Sequence, residues 1–232
     1  MSTESSDVQP PSRLDLVIVE DEHLLGDLLG EWAAAQPDLH LVGVYRSIAE
    51  ARRELPGRAV DVMVVDLNLP DGNGLDLAAD LSAGRLGAGR PRGVVVLSGE
   101  ARVDLVAELP TRLNCSWGYL LKSTNTSRRL RQAIDAVVAG LVMIDPELHR
   151  HHEPTDPALT ALSDGEREIL TSLAGGLSNK AIADSVHVSV KTVERMLSTI
   201  YAKLGIDARD EAVNPRVQAV LRWANARTPG AR

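Results

Sequence analysis

The 232-residue sequence holds a single cysteine, Cys115. One thiol excludes an intramolecular disulfide framework and a cysteine-built zinc site, and it suits a reducing, cytoplasmic compartment. Cys115 itself reads as a small buried or half-buried residue. The sequence lacks any run of about 18 uncharged apolar residues, which argues against a membrane-spanning helix and a membrane partner. The first twelve residues are polar and acidic, without the basic and apolar segments of a secretory signal. Glycine-rich phosphate loops are missing too. The apolar run Leu14–Val19 leads into acids instead of glycines, so a nicotinamide- or ATP-binding core is poorly supported. No separate enzyme domain is legible.

Apolar residues make up 44% of the chain and charged residues 25%, a globular composition whose length favours two small domains. Residues 1–145 carry 21 acids against 14 bases, whereas residues 146–232 carry 11 of each. The acidic part suits a metal or a cationic partner, and the neutral part can still present a locally basic face.

Val60–Asp66 is an apolar run ending in a lone carboxylate, followed at once by the turn-forming Leu69-Pro70-Asp71-Gly72-Asn73-Gly74. Such a run predicts a strand covered on both faces. Leu14–Val19, Leu39–Tyr45, Gly93–Leu97 and Trp117–Leu121 read likewise, with helical periodicity between them. Pro110 should end or kink a helix within 100–115. Five βα repeats predict a doubly wound, flavodoxin-like parallel sheet of five strands. Chemistry in such sheets collects beyond the carboxyl ends of the strands, where Glu20, Asp21, Asp66 and Lys122 fall. Carboxylates gathered from separate strands repel one another unless a cation is present. Oxygen-only donors favour Mg²⁺ over zinc. The alternative is that each is an independent, solvent-facing loop residue.

The ordered set Glu20/Asp21, Asp66, Ser98 and Lys122 resembles the receiver domain of two-component response regulators. That resemblance implies Asp66 as phosphoacceptor and Mg²⁺ held by Glu20, Asp21, Asp66 and the backbone carbonyl of Asn68. It further implies Lys122 and Ser98 as phosphoryl contacts, with Ser98 and the aromatic Tyr119 as switch residues. Glu20 replaces the family's usual first Asp. Pro110 interrupts a helix that is generally unbroken, on the face that carries the signal outward.

Residues 146–159 have a linker's composition, including His149, His151 and His152. Beyond them, Ser163 with Glu166 makes a capping box, Ser178 or Asn179 caps a second helix, and Ser189 caps a third that closes at Gly205. The third helix places Val193, Leu197, Ile200 and Leu204 on one face and polar or basic groups on the other, as a helix-turn-helix requires. By spacing alone, a protein-binding three-helix bundle fits as well. Leu162-Ser163, Glu166–Leu170, Gly176–Lys180, Val188–Arg195 and Lys203-Leu204-Gly205 resemble the LuxR-type DNA-binding domain. The resemblance implies Lys180 and Lys203 as backbone contacts, and Lys191, Thr192, Arg195 and Ser198 facing the groove of double-stranded promoter DNA. Met196 departs from the polar residue usual there, and Glu194 adds an acid to the same helix. A last helix over 211–226, with Pro215 near its start, is the family's dimerisation element.

The expected organisation is a receiver over 13–145, a linker over 146–159 and a LuxR-type domain over 160–226. The whole resembles the NarL/FixJ class, which implies a sensor histidine kinase as phosphodonor, a homodimer on DNA, and a phosphoacceptor in place of an enzyme. Two alternatives stay open. One is a regulator controlled by partners or a ligand without phosphorylation. The other is a receiver-type interaction module with weak DNA binding.

Overall fold

The computed structural model describes residues 13–123, 127–149, 156–207 and 214–225. The N-terminal sheet contains β1 (Leu14–Val19), β2 (Leu39–Tyr45), β3 (Val62–Asp66), β4 (Gly93–Ser98), β5 (Ser116–Leu121) and the short β6 (Met143–Ile144). All are parallel, in the order β2-β1-β3-β4-β5-β6. The five expected strands are present. β6 is an addition to the five-stranded sheet that the sequence predicts.

Both faces of the sheet are covered, which explains the continuous apolar runs. Alternate side chains divide between two cores. On one face Leu16, Ile18, Val62, Val64, Val95 and Leu97 pack under α1 (His23–Ala34) and α5 (Ser127–Val138), through Leu29, Ala33, Leu130, Ile134 and Val137. On the other, Val17, Val19, Met63, Val65, Val94 and Val96 pack under α2 (Ile48–Glu54), α3 (Gly74–Ser82) and α4 (Val103–Arg112). The chain passes from β2 at the edge to β3 on the far side of β1. That reversal opens a crevice at the carboxyl ends of β1 and β3.

Pro110 lies inside α4, which runs two residues further to Arg112. Pro110 has no N–H to give the Val106 carbonyl and its ring crowds the turn before it, so the helix closes within two residues. The last turn closes through Thr111 Oγ1 on the Glu108 carbonyl at 2.8 Å and Leu113 N on the Leu109 carbonyl at 2.9 Å.

The C-terminal part comprises α6 (Pro157–Thr160), α7 (Asp164–Ala174), α8 (Asn179–Ser185), α9 (Val190–Lys203) and α10 (Pro215–Asn225). Ser163 and Glu166 form the expected capping box, and Ser178 and Ser189 cap α8 and α9. Val193, Leu197, Ile200 and Leu204 are buried. Pro215 opens α10, where its missing N–H is harmless. The expected start of this helix at Glu211, as well as His151, His152 and the tail from Thr228, lie outside the described residues.

The two parts touch. α10 packs against both α4 and α7, and α7 lies against β6. At the α7–α8 turn Gly176 adopts φ +79°, and a Cβ there would lie 3.0 Å from the Met143 Cβ and 3.1 Å from the Ala136 Cβ. One apolar cluster runs from Val94 and Leu109 through Ile144 and Leu148 to Leu159, Ile169 and Val220.

Candidate functional site

β1 and β3 deliver Glu20, Asp21 and Asp66 to one crevice, and ligand oxygens of the three lie within 4.8 Å of one another. Glu20 is fully buried and Asp66 nearly so. Burial pushes both carboxyls above their usual range, against the lowering effect of their hydrogen bonds to Lys122. Lys122 follows β5, and its ammonium donates to Glu20 Oε1 at 2.8 Å, Asp66 Oδ2 at 2.9 Å and Glu22 Oε1 at 2.9 Å. Burial alone would lower the lysine's pKa; the three carboxylates outweigh it and hold the group charged.

Glu20 Oε2 is buried without a hydrogen-bond partner. An orphaned carboxylate oxygen beside two further acids fits a small, hard cation, and the all-oxygen donor set fits Mg²⁺. Close approach of the loop to this pocket requires Gly74, since a Cβ there would fall 1.9 Å from the Asp66 carbonyl oxygen. Asn68 N donates to Asp66 Oδ1 at 3.2 Å. The turn is held by Asp71, whose carboxylate accepts the N–H groups of Ile48 and Ala49 at the start of α2.

Ser98 and Tyr119 are both fully buried. The Ser98 hydroxyl donates to the Glu100 carbonyl at 2.7 Å, and the Tyr119 hydroxyl donates to the same oxygen at 2.8 Å. The two expected switch residues thus share one acceptor.

The second cluster lies on α9. Lys191, Arg195 and Ser198 are exposed, and with Ser189, Thr192 and Glu194 they line a shallow concave surface. Among the described residues no acid lies within ion-pair distance of Lys180, Lys191 or Arg195. The Thr192 hydroxyl meets the Ser189 hydroxyl at 2.8 Å, within the helix cap. Lys203 is turned the other way. Its ammonium contacts Glu166 Oε2 at 2.7 Å, joining the end of α9 to the capping box of α7. Met196 is half-buried against the core, which accounts for an apolar residue on an otherwise polar helix.

The response regulator receiver domain family matches residues 16–135, and the luxR family of bacterial regulatory proteins matches residues 160–214. The chain is a response regulator of the NarL/FixJ class. It is 34% identical to the DNA-binding transcriptional activator DevR/DosR of Mycobacterium tuberculosis, over 84% of this chain and 90% of that protein. It is 26% identical to the transcriptional regulatory protein UhpA of Escherichia coli, over 83% of this chain and 92% of that one. The RcsB response regulator of Salmonella typhimurium shares the fold, with a TM-score of 0.52 at 19% identity, over 91% of this chain and 98% of that structure. This response regulator is therefore a DNA-binding protein whose transcriptional control depends on phosphorylation, with a receiver that acts as phosphoacceptor and not as a dedicated enzyme. Among its described residues no helix is long and apolar enough to cross a membrane.

Sequence reasoning missed three features of the regulator. Glu22 joins the Lys122 cluster, and its position directly after the acidic pair was the available signal. Arg46 Nη1 donates to the Glu20 carbonyl at 3.0 Å, across a helix face kept clear by Gly26. Asp145, the last residue of the expected receiver, is fully buried.

Proposed function

We propose that Asp66 accepts a phosphoryl group from a sensor histidine kinase, and that this controls dimerisation and promoter binding through α4 and α10. The observation that carries the reading is a nearly buried Asp66 facing Lys122 at 2.9 Å, beside the orphaned oxygen of Glu20, in a chain that also exposes an unpaired basic helix face. Glu20, Asp21, Asp66 and the Asn68 carbonyl would hold Mg²⁺, which when bound neutralises charge on the transferring phosphoryl group.

The protein's own groups have separable tasks. Asp66 supplies the nucleophilic oxygen, and Lys122 holds a positive charge against the oxygens that arrive. Once those oxygens offer acceptors, the Ser98 hydroxyl turns from the Glu100 carbonyl toward them. The Glu100 carbonyl then belongs to Tyr119 alone, which shifts the approach to α4. α4 supports α10, whose Val220 and Ala224 are buried and whose Val217 and Leu221 face a cleft lined by Pro110, Thr111 and Trp117. The helix expected to pair two protomers is thus occupied within one chain. Repacking of α4 frees it for a second copy, and a twofold dimer then reads two half-sites.

On α9 we assign Lys191, Thr192, Arg195 and Ser198 to the groove, with Lys180 at the start of α8 on the DNA backbone. Lys203 is assigned first to Glu166, with DNA contact secondary. RcsB, which shares this fold, has been captured in a complex with DNA.

Incubation with Mg²⁺ and a small acyl-phosphate donor should add one phosphoryl mass to the wild type and none to Asp66→Ala. A folded wild type that gains no mass refutes the phosphoacceptor assignment. Binding to selected oligonucleotides at two salt concentrations should weaken with salt and with Arg195→Ala, and indifference to both would refute the groove assignment.

A further inference from the structure

The sheet does not end with β5. Met143 and Ile144 pair in parallel with Gly118 and Tyr119, so the chain leaving α5 returns to the sheet before entering the linker. Asp145, the next residue, is fully buried. Its N–H donates to the Tyr119 carbonyl at 2.8 Å. Its Oδ2 accepts the Leu121 N–H at 3.0 Å, and its Oδ1 accepts Arg129 Nη1 at 2.7 Å and the Glu147 N–H at 3.0 Å.

These contacts bracket Lys122. Leu121 directly precedes it, and Arg129 lies in the first turn of α5. One carboxylate at the last residue before the linker therefore holds both flanks of the segment that carries the phosphoryl-facing ammonium, and its backbone also holds Tyr119. Lys122 N donates to the Ser98 carbonyl at 2.7 Å, so the same strand end is tied to the hydroxyl residue of the pocket. In the other direction, Leu148 donates its N–H to the Asp145 carbonyl at 3.1 Å and buries its side chain in the cluster shared with α7 and α10.

We infer that Asp145 is a positioning residue for Lys122, and that the Asp145–Arg129 clamp makes the linker part of the phosphorylation switch. The inference rests on the assignment of Asp66 and Lys122 above. A buried carboxylate with several donors has few ways to relax, so a displacement of Lys122 is passed to Asp145 and on to the linker. Coupling of this kind is reciprocal: an unseated linker must weaken the hold on a phosphoryl group by the same factor. This path leaves the pocket on the β5–β6 side and is separate from the one through Ser98, Tyr119 and α4.

The test uses the full-length protein with Mg²⁺ and beryllofluoride as phosphoryl analogue, followed by tryptophan fluorescence and amide hydrogen exchange. Asp145→Asn and Arg129→Gln should raise exchange across 142–148. Both should weaken beryllofluoride binding by about 5- to 20-fold, while Mg²⁺ affinity in its absence stays at the wild-type value. Arg129→Lys should recover part of the loss. Where Asp145→Asn fails to fold, the Arg129→Gln and Arg129→Lys pair decides. Folded variants that lose linker protection but bind beryllofluoride as the wild type does would show a passive tether and overturn the inference. A wild type that binds no beryllofluoride overturns the phosphoacceptor assignment itself, and this inference with it.

Discussion

At the scale of single residues, the pocket balances one ammonium among three carboxylates that differ in exposure. Glu20 is 0% exposed and committed to the interior, whereas the Glu22 side chain is 62% exposed and reaches Lys122 from the mouth. An exposed ion pair contributes little to stability, so Glu22→Gln should change the unfolding free energy by less than about 0.5 kcal/mol. The same substitution removes a negative charge from the path of an anionic phosphodonor and releases one claim on Lys122. Phosphorylation by acyl phosphate should therefore accelerate several-fold, and stopped-flow fluorescence would measure it. An unchanged or slower rate would mean that Glu22 aids the transfer. Cys115 gives a second residue-level prediction. Burial pushes its thiol up to about 11. From an ordinary value near 9, that is about a hundredfold less thiolate at neutral pH, and alkylation of the folded protein at pH 8 should be slower than that of the urea-unfolded chain by this factor. The neutral thiol favours the fold below pH 9, and that contribution is lost as pH rises through 11.

Secondary elements show why some boundaries were legible and others were not. Ser163 with Glu166, Ser178 and Ser189 announce α7, α8 and α9, because a cap is a local interaction within four residues. Pro110 marks the end of α4 to within two residues, because its missing N–H and its crowding of the preceding turn are local as well. β6 had no such local signal. Its two residues acquire strand character only from Gly118 and Tyr119, distant in sequence. The capping box of α7 yields a prediction at this scale. Lys203 first, and then the Ser163 N–H, hold the Glu166 carboxyl below its usual range. Its contribution is present above the unfolded pKa and is lost as pH falls through the lowered folded value. Glu166→Gln should lower the melting temperature at pH 7 and converge with the wild type in that acid window, by calorimetry. Ser163→Ala should cost about 1 kcal/mol, and unlike Glu166→Gln should cost it across the pH range.

For the whole molecule, the consequential feature is the contact between its two parts. The apolar stripe of α10 reads in sequence as a surface for another protomer, yet the structure places it against α4 and α7. Gly176 allows a direct test of the contact. Gly140 and Gly176 share almost the same backbone, φ +78° and +79°, but a Cβ at Gly140 meets nothing within 4 Å whereas one at Gly176 meets Met143 and Ala136. Gly140→Ala should cost only the backbone strain, about 1 kcal/mol. Gly176→Ala should cost more and should raise hydrogen exchange in β6 and α10. Equal costs, with unchanged exchange, would show that the two parts do not rest on each other at this turn.

The sequence by itself determined the parallel sheet, the helix-turn-helix and the chemical identity of the pocket. Those depend on local periodicity, on caps, and on which residues end each strand. Tertiary structure alone decided that Glu22 shares Lys122, that Lys203 is engaged by Glu166, that Met196 belongs to the core and that Asp145 is buried beneath the linker. Each of these is a contact between residues far apart in the chain or a matter of which side a residue faces. Such outcomes depend on the burial of particular groups and the donors near them, and only the assembled fold supplies both.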